Sequence, residues 1–201
     1  RPIAIEHSSL YRGDDPGWGC SGNSHYRADP SASQPAMIAE QPNYCPRCGT
    51  ALVTAERFGK ARPTCPACDW IFFPDPKVAV AVLVCEHDQV LLVQRANEPM
   101  RGYWTLPAGF MDAGEDPARA AERECQEETG LIVAVTRLLD VIAGQVHARG
   151  ADILIVYQAD QRSGTLHAGD DAGAVGFFDP LVLPPLAFPS TQKILDTWQR
   201  K

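Results

Sequence analysis

From residue 78 onward the chain alternates apolar runs with polar breaks, at a spacing that suits strands and two helices. Val78–Val84 (VAVAVLV) is an unbroken, β-branched run, the pattern of a strand buried on both faces. Glu86-His87-Asp88 interrupts it as a hairpin turn, and Gln89–Arg95 reads as the return strand. Residues 96–102 form a loop, and Trp104–Pro107 is a short strand. From Pro117 to Thr129 the apolar period changes from two to that of a helix. Asp116 is suited to the N-cap, Pro117 to the first helical position and Gly130 to the stop. On that helix Ala118, Ala121 and Cys125 form a narrow apolar stripe, with Glu124, Glu127 and Glu128 together in a sector about 100° wide. Leu131–Ala143 reads as one or two strands, Ile153–Ala159 and Ala174–Phe178 as two more, with a polar loop at Ser163–Gly173 between them. Ser190–Lys201 is a last amphipathic helix with Ile194, Leu195 and Trp198 inward. Hairpin, strand, helix, strands, helix predicts a mixed sheet between helices, an α/β/α sandwich.

The first third follows no such period. Residues 1–44 carry several glycines and prolines and no sustained apolar pattern, and are expected to be disordered or loosely draped. Met37 lies eight residues before Cys45, and one reading starts the biological chain there, the other keeping residues 1–36 as an unstructured tail. Residues 45–70 hold two C-x-x-C pairs, Cys45/Cys48 and Cys65/Cys68, with 16 residues between them. Two such turns bring four thiolates to one tetrahedral point, which suits a structural Zn²⁺ with no open coordination position. The intervening residues suit two short strands, one at Leu52 and Val53 and one approaching Thr64, as in a zinc ribbon. Residues 71–77 (IFFPDPK) form a short, stiff linker.

Composition narrows the partners. The chain has 201 residues, 45% hydrophobic and 21% charged, enough for one core and a small appendage. Its formal charge of −7 argues against a broad nucleic-acid surface. No run approaches the roughly 18 apolar residues of a membrane span. Seven cysteines, four of them in C-x-x-C pairs, suit metal binding in a reducing compartment, hence the cytoplasm. Arg47, Arg57, Lys60 and Arg62 make the ribbon locally basic, which leaves a nucleic-acid or a protein contact open there.

Three clustered helical glutamates repel each other, and Arg123 alone does not balance them. Hard oxygen ligands point to Mg²⁺ or Mn²⁺ as the missing charge. The stretch Gly109–Leu131 places Gly109, Glu115, Arg123, Glu124, Glu127, Glu128 and Gly130 at fixed intervals that would coincide by chance on the order of 10⁻⁹ per window. It resembles the Nudix box, the signature of the Nudix hydrolases, with Cys125 where the family usually has an aliphatic residue. The resemblance implies the Nudix α/β/α fold over Val78–Lys201 and hydrolysis of a nucleoside diphosphate linked to another moiety. It implies Glu124, Glu127 and Glu128 as Mg²⁺ ligands, with the Ala108 backbone carbonyl as a further one. It also implies that Glu115 and Arg123 form a bracing salt bridge. The family's usual PGG reads Pro107-Ala108-Gly109 here. Glu124 is one candidate general base; Asp171 or Asp170, on the late loop, is the other.

A ribbon ahead of a Nudix domain is similar to two groups. The NADH pyrophosphatases carry an SQPWPFPxS-type array, of which this chain has only PPLAFPSTQ at Pro184–Gln192. The ADP-ribose and FAD pyrophosphatases share LPAGF, literal here at Leu106–Phe110. Cleavage of ADP-ribose or FAD with release of AMP is therefore expected, ahead of NADH cleavage or a non-catalytic nucleotide sensor. Tyr103, Trp104, Phe110 and Phe188 are candidate stacking rings, and Arg95 and Arg101 candidate phosphate ligands. A homodimer is compatible with the resemblance.

Overall fold

The computed structural model describes residues 41–143, 150–169 and 171–199. The expectations for residues 1–40, including Met37, and for Asp170 fall outside them. Eleven elements follow the predicted order. They are β1 (Val53–Arg57), β2 (Lys60–Thr64), β3 (Val78–Glu86), β4 (Gln89–Arg95), β5 (Trp104–Thr105), β6 (Ala108–Phe110), α1 (Pro117–Thr129), β7 (Leu131–Ala143), β8 (Ile153–Gly164), β9 (Ala172–Phe178) and α2 (Pro189–Gln199).

β1 and β2 form a separate antiparallel hairpin, flanked by the two cysteine turns. Each turn closes the same way: the Gly49 N–H donates to Cys45 O and the Asp69 N–H to Cys65 O. The closing residue is left-handed in both, Gly49 at φ 72° and Asp69 at φ 56°, so an aspartate fills the place that glycine takes in the first. Four sulfurs converge, with Cys45–Cys68 at 3.6 Å, Cys48–Cys65 at 3.5 Å and Cys48–Cys68 at 3.7 Å. A Zn–S bond of about 2.3 Å gives a tetrahedral edge of about 3.8 Å, so the spacing suits Zn²⁺.

The other seven strands make one mixed sheet, in the order β5-β4-β3-β8-β7 with β6 on β3 and β9 on β4. β3 and β8 are parallel; every other pair is antiparallel. β3 decides the layering by its period of two. Val80, Val82 and Val84 pack with Ala120, Ala121 and Cys125 of α1, whereas Ala81 and Leu83 pack with Ile194 and Leu195 of α2. The sheet is thus covered on both faces, as the unbroken apolar run of β3 requires. On α1 the buried stripe is Ala120, Ala121, Cys125 and Thr129; the expected Ala118 is only half-buried. The small side chains let α1 lie close to β3.

Two details depart from the pattern. Trp104–Pro107 is not one strand: Trp104 and Thr105 pair with β4, and the chain then crosses to β3 at Ala108. Pro107 has no N–H to continue a ladder, and its carbonyl accepts from Val82 N at 3.0 Å. β8 also runs through Ser163 to Gly164, because the long edge strand β7 pairs along its whole length, absorbing three register shifts. Among the described residues no helix is long and apolar enough to cross a membrane.

Candidate active site

α1 is built to hold its carboxylates still. The Asp116 side chain accepts from the N–H groups of Ala118 and Arg119, and Gly130 at φ 70° closes the C-terminus with its N–H on Gln126 O. The loop after β8 completes that end: the His167 N–H donates to Thr129 O and the Gly169 N–H to Glu128 O, both at 3.0 Å. A Cβ on Gly169 would overlap the Glu127 carbonyl, so only glycine lets the loop come this close. The same loop ends at Asp171.

The sheet meets the helix along the free edge of β6. The Val82–Pro107 and Val78–Met111 bonds put residues 107 and 111 in hydrogen-bonded pairs with β3. The alternating residues 108 and 110 therefore turn their backbone groups away from β3, toward α1. There the Ala108 N–H donates to Glu128 Oε2 at 2.9 Å, and Phe110 O accepts from Arg123 Nη2 at 3.2 Å. The Ala108 carbonyl lies on that same edge.

Arg123 uses its whole fork. Nε and Nη2 grip Glu115 at 2.8 and 2.9 Å, and Nη1 reaches Glu124 at 2.8 Å and Glu127 at 3.0 Å. The guanidinium hydrogen bonds, with the Asp112 N–H, hold the Glu115 carboxyl down to about 2. Glu124 responds in the opposite sense. Burial raises its pKa, and Arg123 only partly offsets this. Gly109 leaves the room that the Glu124 carboxylate occupies, and a Cβ there would overlap it. Glu128 is pushed up to about 8, chiefly by burial and against the Ala108 hydrogen bond, with Glu124 and Asp171 adding repulsion. Glu127 is exposed (58% of its side chain). Arg123 thus meets three carboxyls and the fourth, Glu128, is left to the Ala108 N–H and the charge of Arg95, so carboxyl groups outnumber cations along this edge. A partly buried, acid-rich set of hard oxygens next to a backbone-carbonyl edge fits a divalent cation. The carboxylates have not drawn together as the sulfurs have. Among the described residues, the cysteines alone form a set of three or more ligating side chains that tight.

The remaining candidates divide. Asp171 is held at this end of the site: Asn97 Nδ2 donates to its Oδ1 at 3.0 Å, and its carbonyl accepts from Ala96 N. Asn97 was missed in the sequence because nothing local marks it; the contact spans 74 residues. Arg95 ends β4, with Nε on Pro99 O at 2.7 Å and its guanidinium 5.2 Å from the Phe188 ring centroid. Its charge acts on Glu128. Arg101 and Tyr103 are exposed on the 96–103 loop. Phe110 borders an open groove of about 480 Å³ with Lys77, Met111 and Asp112. Trp104 is on the opposite side of the sheet, in the α2 cluster, edge-on to Phe178 with centroids 4.6 Å apart. The site brings Arg95, Asp171 and the box together and leaves Trp104 in the core. Cys125 is buried against the sheet, its thiol pushed up to about 11 mainly by that burial.

A carboxylate helix braced by Arg123–Glu115 under a mixed sheet defines the class as that of the Nudix pyrophosphohydrolases. The chain belongs to the Nudix family, the NUDIX domain model matching residues 75–198. It is 42% identical over 126 residues to an ADP-ribose pyrophosphatase of Methanocaldococcus jannaschii, covering 62% of this chain and 74% of that enzyme. It is 30% identical over 136 residues to an NAD-capped RNA hydrolase NudC of Photobacterium profundum, covering 68% of this chain but only 49% of that one. A NUDIX hydrolase structure from Nitrosomonas europaea superposes with a TM-score of 0.68 at 28% identity, covering 79% of this chain and 91% of the other.

Proposed function

We propose that this pyrophosphohydrolase cleaves the diphosphate of ADP-ribose, with FAD as the second candidate, releasing AMP in a Mg²⁺- or Mn²⁺-dependent reaction. The observation that carries the reading is the surplus of carboxyl over cationic charge along the Ala108 edge, where burial and the neighbouring carboxylates push Glu128 up to about 8. The ADP-ribose pyrophosphatase at 42% identity supports the substrate. Glu124, Glu127, Glu128 and the Ala108 carbonyl would hold the cations. When bound, these neutralise phosphate charge and lower the pKa of a coordinated water. Arg123 and Glu115 orient the first two carboxylates. Asp171, fixed by Asn97, takes the proton of the attacking water, and Arg95 faces the diphosphate. The four cysteines hold a structural Zn²⁺, which would let the 45–70 segment fold without a core of its own.

The test is a panel of ADP-ribose, FAD, NADH, NAD⁺ and dNTPs with Mg²⁺ or Mn²⁺, read as AMP and phosphate release. ADP-ribose should show the highest kcat/KM. No turnover of any compound would reject the enzyme reading in favour of a nucleotide-binding regulator. Asp171→Asn should lower kcat by about 10²–10⁴ if it is the base. Near-wild-type turnover would return that role to Glu124.

A further inference from the structure

The ribbon hairpin carries a feature that hydrolysis does not use. β1 and β2 are joined by Phe58-Gly59, both left-handed, at φ 52° and 70°. Glycine or asparagine suits the first position of such a turn; a bulky ring there is strained. The ring gains little burial in return, since Phe58 is 78% exposed. Its neighbour is Phe73, 47% exposed, with centroids 6.0 Å apart. Phe73 is brought back by the linker, where the Phe72 N–H donates to Pro63 O and Ile71 bridges Thr64. The Arg62 guanidinium lies 4.6 Å from the Phe73 centroid, and its Nε donates to Arg57 O across the hairpin.

The register sorts the charges. Arg57 pairs with Lys60 and Ala55 with Arg62, while Glu56 pairs with Ala61 between them. Side chains of alternate pairs share a face. Arg57, Lys60 and Arg62 therefore stand on one face and Glu56 on the other. In a chain with a formal charge of −7, residues 45–73 hold four basic and two acidic side chains. Three cations, one of them stacked on a ring, around two exposed rings match what a flexible polyanion with unstacked bases requires. An acidic protein surface would use the charges and leave the rings unexplained.

We propose that this face of the β1–β2 hairpin binds single-stranded nucleic acid, Phe58 and Phe73 stacking on bases while Arg57, Lys60 and Arg62 meet phosphates. The whole-chain charge excludes a broad surface; a footprint of a few nucleotides needs only this face. The site is independent of which diphosphate the Nudix site cleaves.

The test is fluorescence anisotropy of the full, zinc-loaded chain with a fluorescein-labelled 12-nucleotide single-stranded RNA and the same sequence as a duplex. Binding to the single strand should weaken with a log–log salt slope of about −2, from three neutralised phosphates. Phe58→Ala should lower affinity about tenfold or more. Arg57→Ala with Lys60→Ala should bring the slope to about −0.7. Glu56→Gln, on the opposite face, should not weaken binding. Zinc content and small-substrate turnover should stay at wild-type levels in all of these variants, which separates lost binding from a lost ribbon. Equal affinity of wild type and Phe58→Ala, or equal affinity for duplex and single strand, would overturn the proposal. So would a self-association in ultracentrifugation that Phe58→Ala abolishes without any RNA binding, which would give the face to a second copy.

Discussion

Gly109→Ala isolates the position of one carboxylate from everything else in the site. The Gly109 backbone is one that alanine adopts without strain, since Gly109 is not among the left-handed glycines. An added Cβ would overlap both oxygens and the carboxyl carbon of Glu124. Those atoms are the end of a flexible side chain, so the side chain yields and β6 stays paired to β3. Restoring ordinary contact requires a retreat of about 1.4 Å, and misplacement of even about 1 Å costs about 10²-fold in rate. That is about 2.7 kcal/mol of transition-state stabilisation. The displaced Oε1 would also leave Arg123 Nη1, its partner at 2.8 Å. Kinetics with ADP-ribose at saturating Mg²⁺ should therefore show kcat down about 100-fold with Tm almost unchanged. Gly114→Ala is the internal control: Gly114 is left-handed at φ 84° with open space around it. It should cost about 1 kcal/mol of stability, a few degrees in Tm for a chain of this size, and leave kcat within a few-fold. A Gly109→Ala enzyme with kcat within threefold of wild type would refute the assignment of Glu124 to that spot.

Three further outcomes follow from the charges. Glu128 has a folded-state pKa of about 8, above the ordinary carboxylate value of about 4.3. The folded chain binds the extra proton between those values, so this stabilising contribution is complete below about pH 4.3 and is lost as pH rises through 8. Thermal melts of zinc-loaded protein in magnesium-free buffer should show a decline toward pH 8.5 that Mn²⁺ reverses; a Glu128→Gln variant with the same decline would remove Glu128 as its source. Glu115 is shifted the other way, to about 2. Its pairing stabilises above about pH 4.3 and is lost as pH falls toward 2, so Glu115→Gln should flatten the acid limb of unfolding followed by near-UV circular dichroism; an unchanged limb would refute the brace. Cys68→Ser should lower bound zinc well below one ion per chain in a chromogenic chelator assay while ADP-ribose turnover persists. Loss of turnover in step with zinc would show that the ribbon supports the Nudix site directly.

The parts legible in the sequence are those whose causes are local. α1 was readable to the residue because the Asp116 cap, Pro117 and Gly130 are neighbours of the turns they terminate. The cysteine cluster was readable because two tight turns carry their own spacing. The sheet was readable as strands, yet the break at Pro107 and the extension of β8 to Gly164 depend on partners elsewhere in the chain. Trp104 shows the limit most clearly. Its type and its place beside LPAGF suit a stacking ring, but Phe178, 74 positions away, draws it into the α2 side of the sheet. Nothing within a few residues of Trp104 records that contact.

The same distinction explains why the reaction class is better specified than the substrate. Glu124, Glu127 and Glu128 ride on one helix with Glu115 just ahead of it, and Arg123 grips three of these four through a single side chain. The groups proposed to meet what is attached to the diphosphate come from the end of β4, the 96–103 loop, the end of β6 and the loop before β9. These segments are nevertheless tied to the helix. Glu128 and Thr129 offer their last carbonyls to Gly169 and His167, and the residue that follows the loop, Asp171, is clasped by Asn97. A change in the 165–171 loop therefore shifts the helix end that carries Glu127 and Glu128 as well as the candidate base. Substitutions there, even at residues that touch no substrate, should move kcat together with KM, whereas substitutions at exposed Arg101 or Tyr103 should act on KM alone.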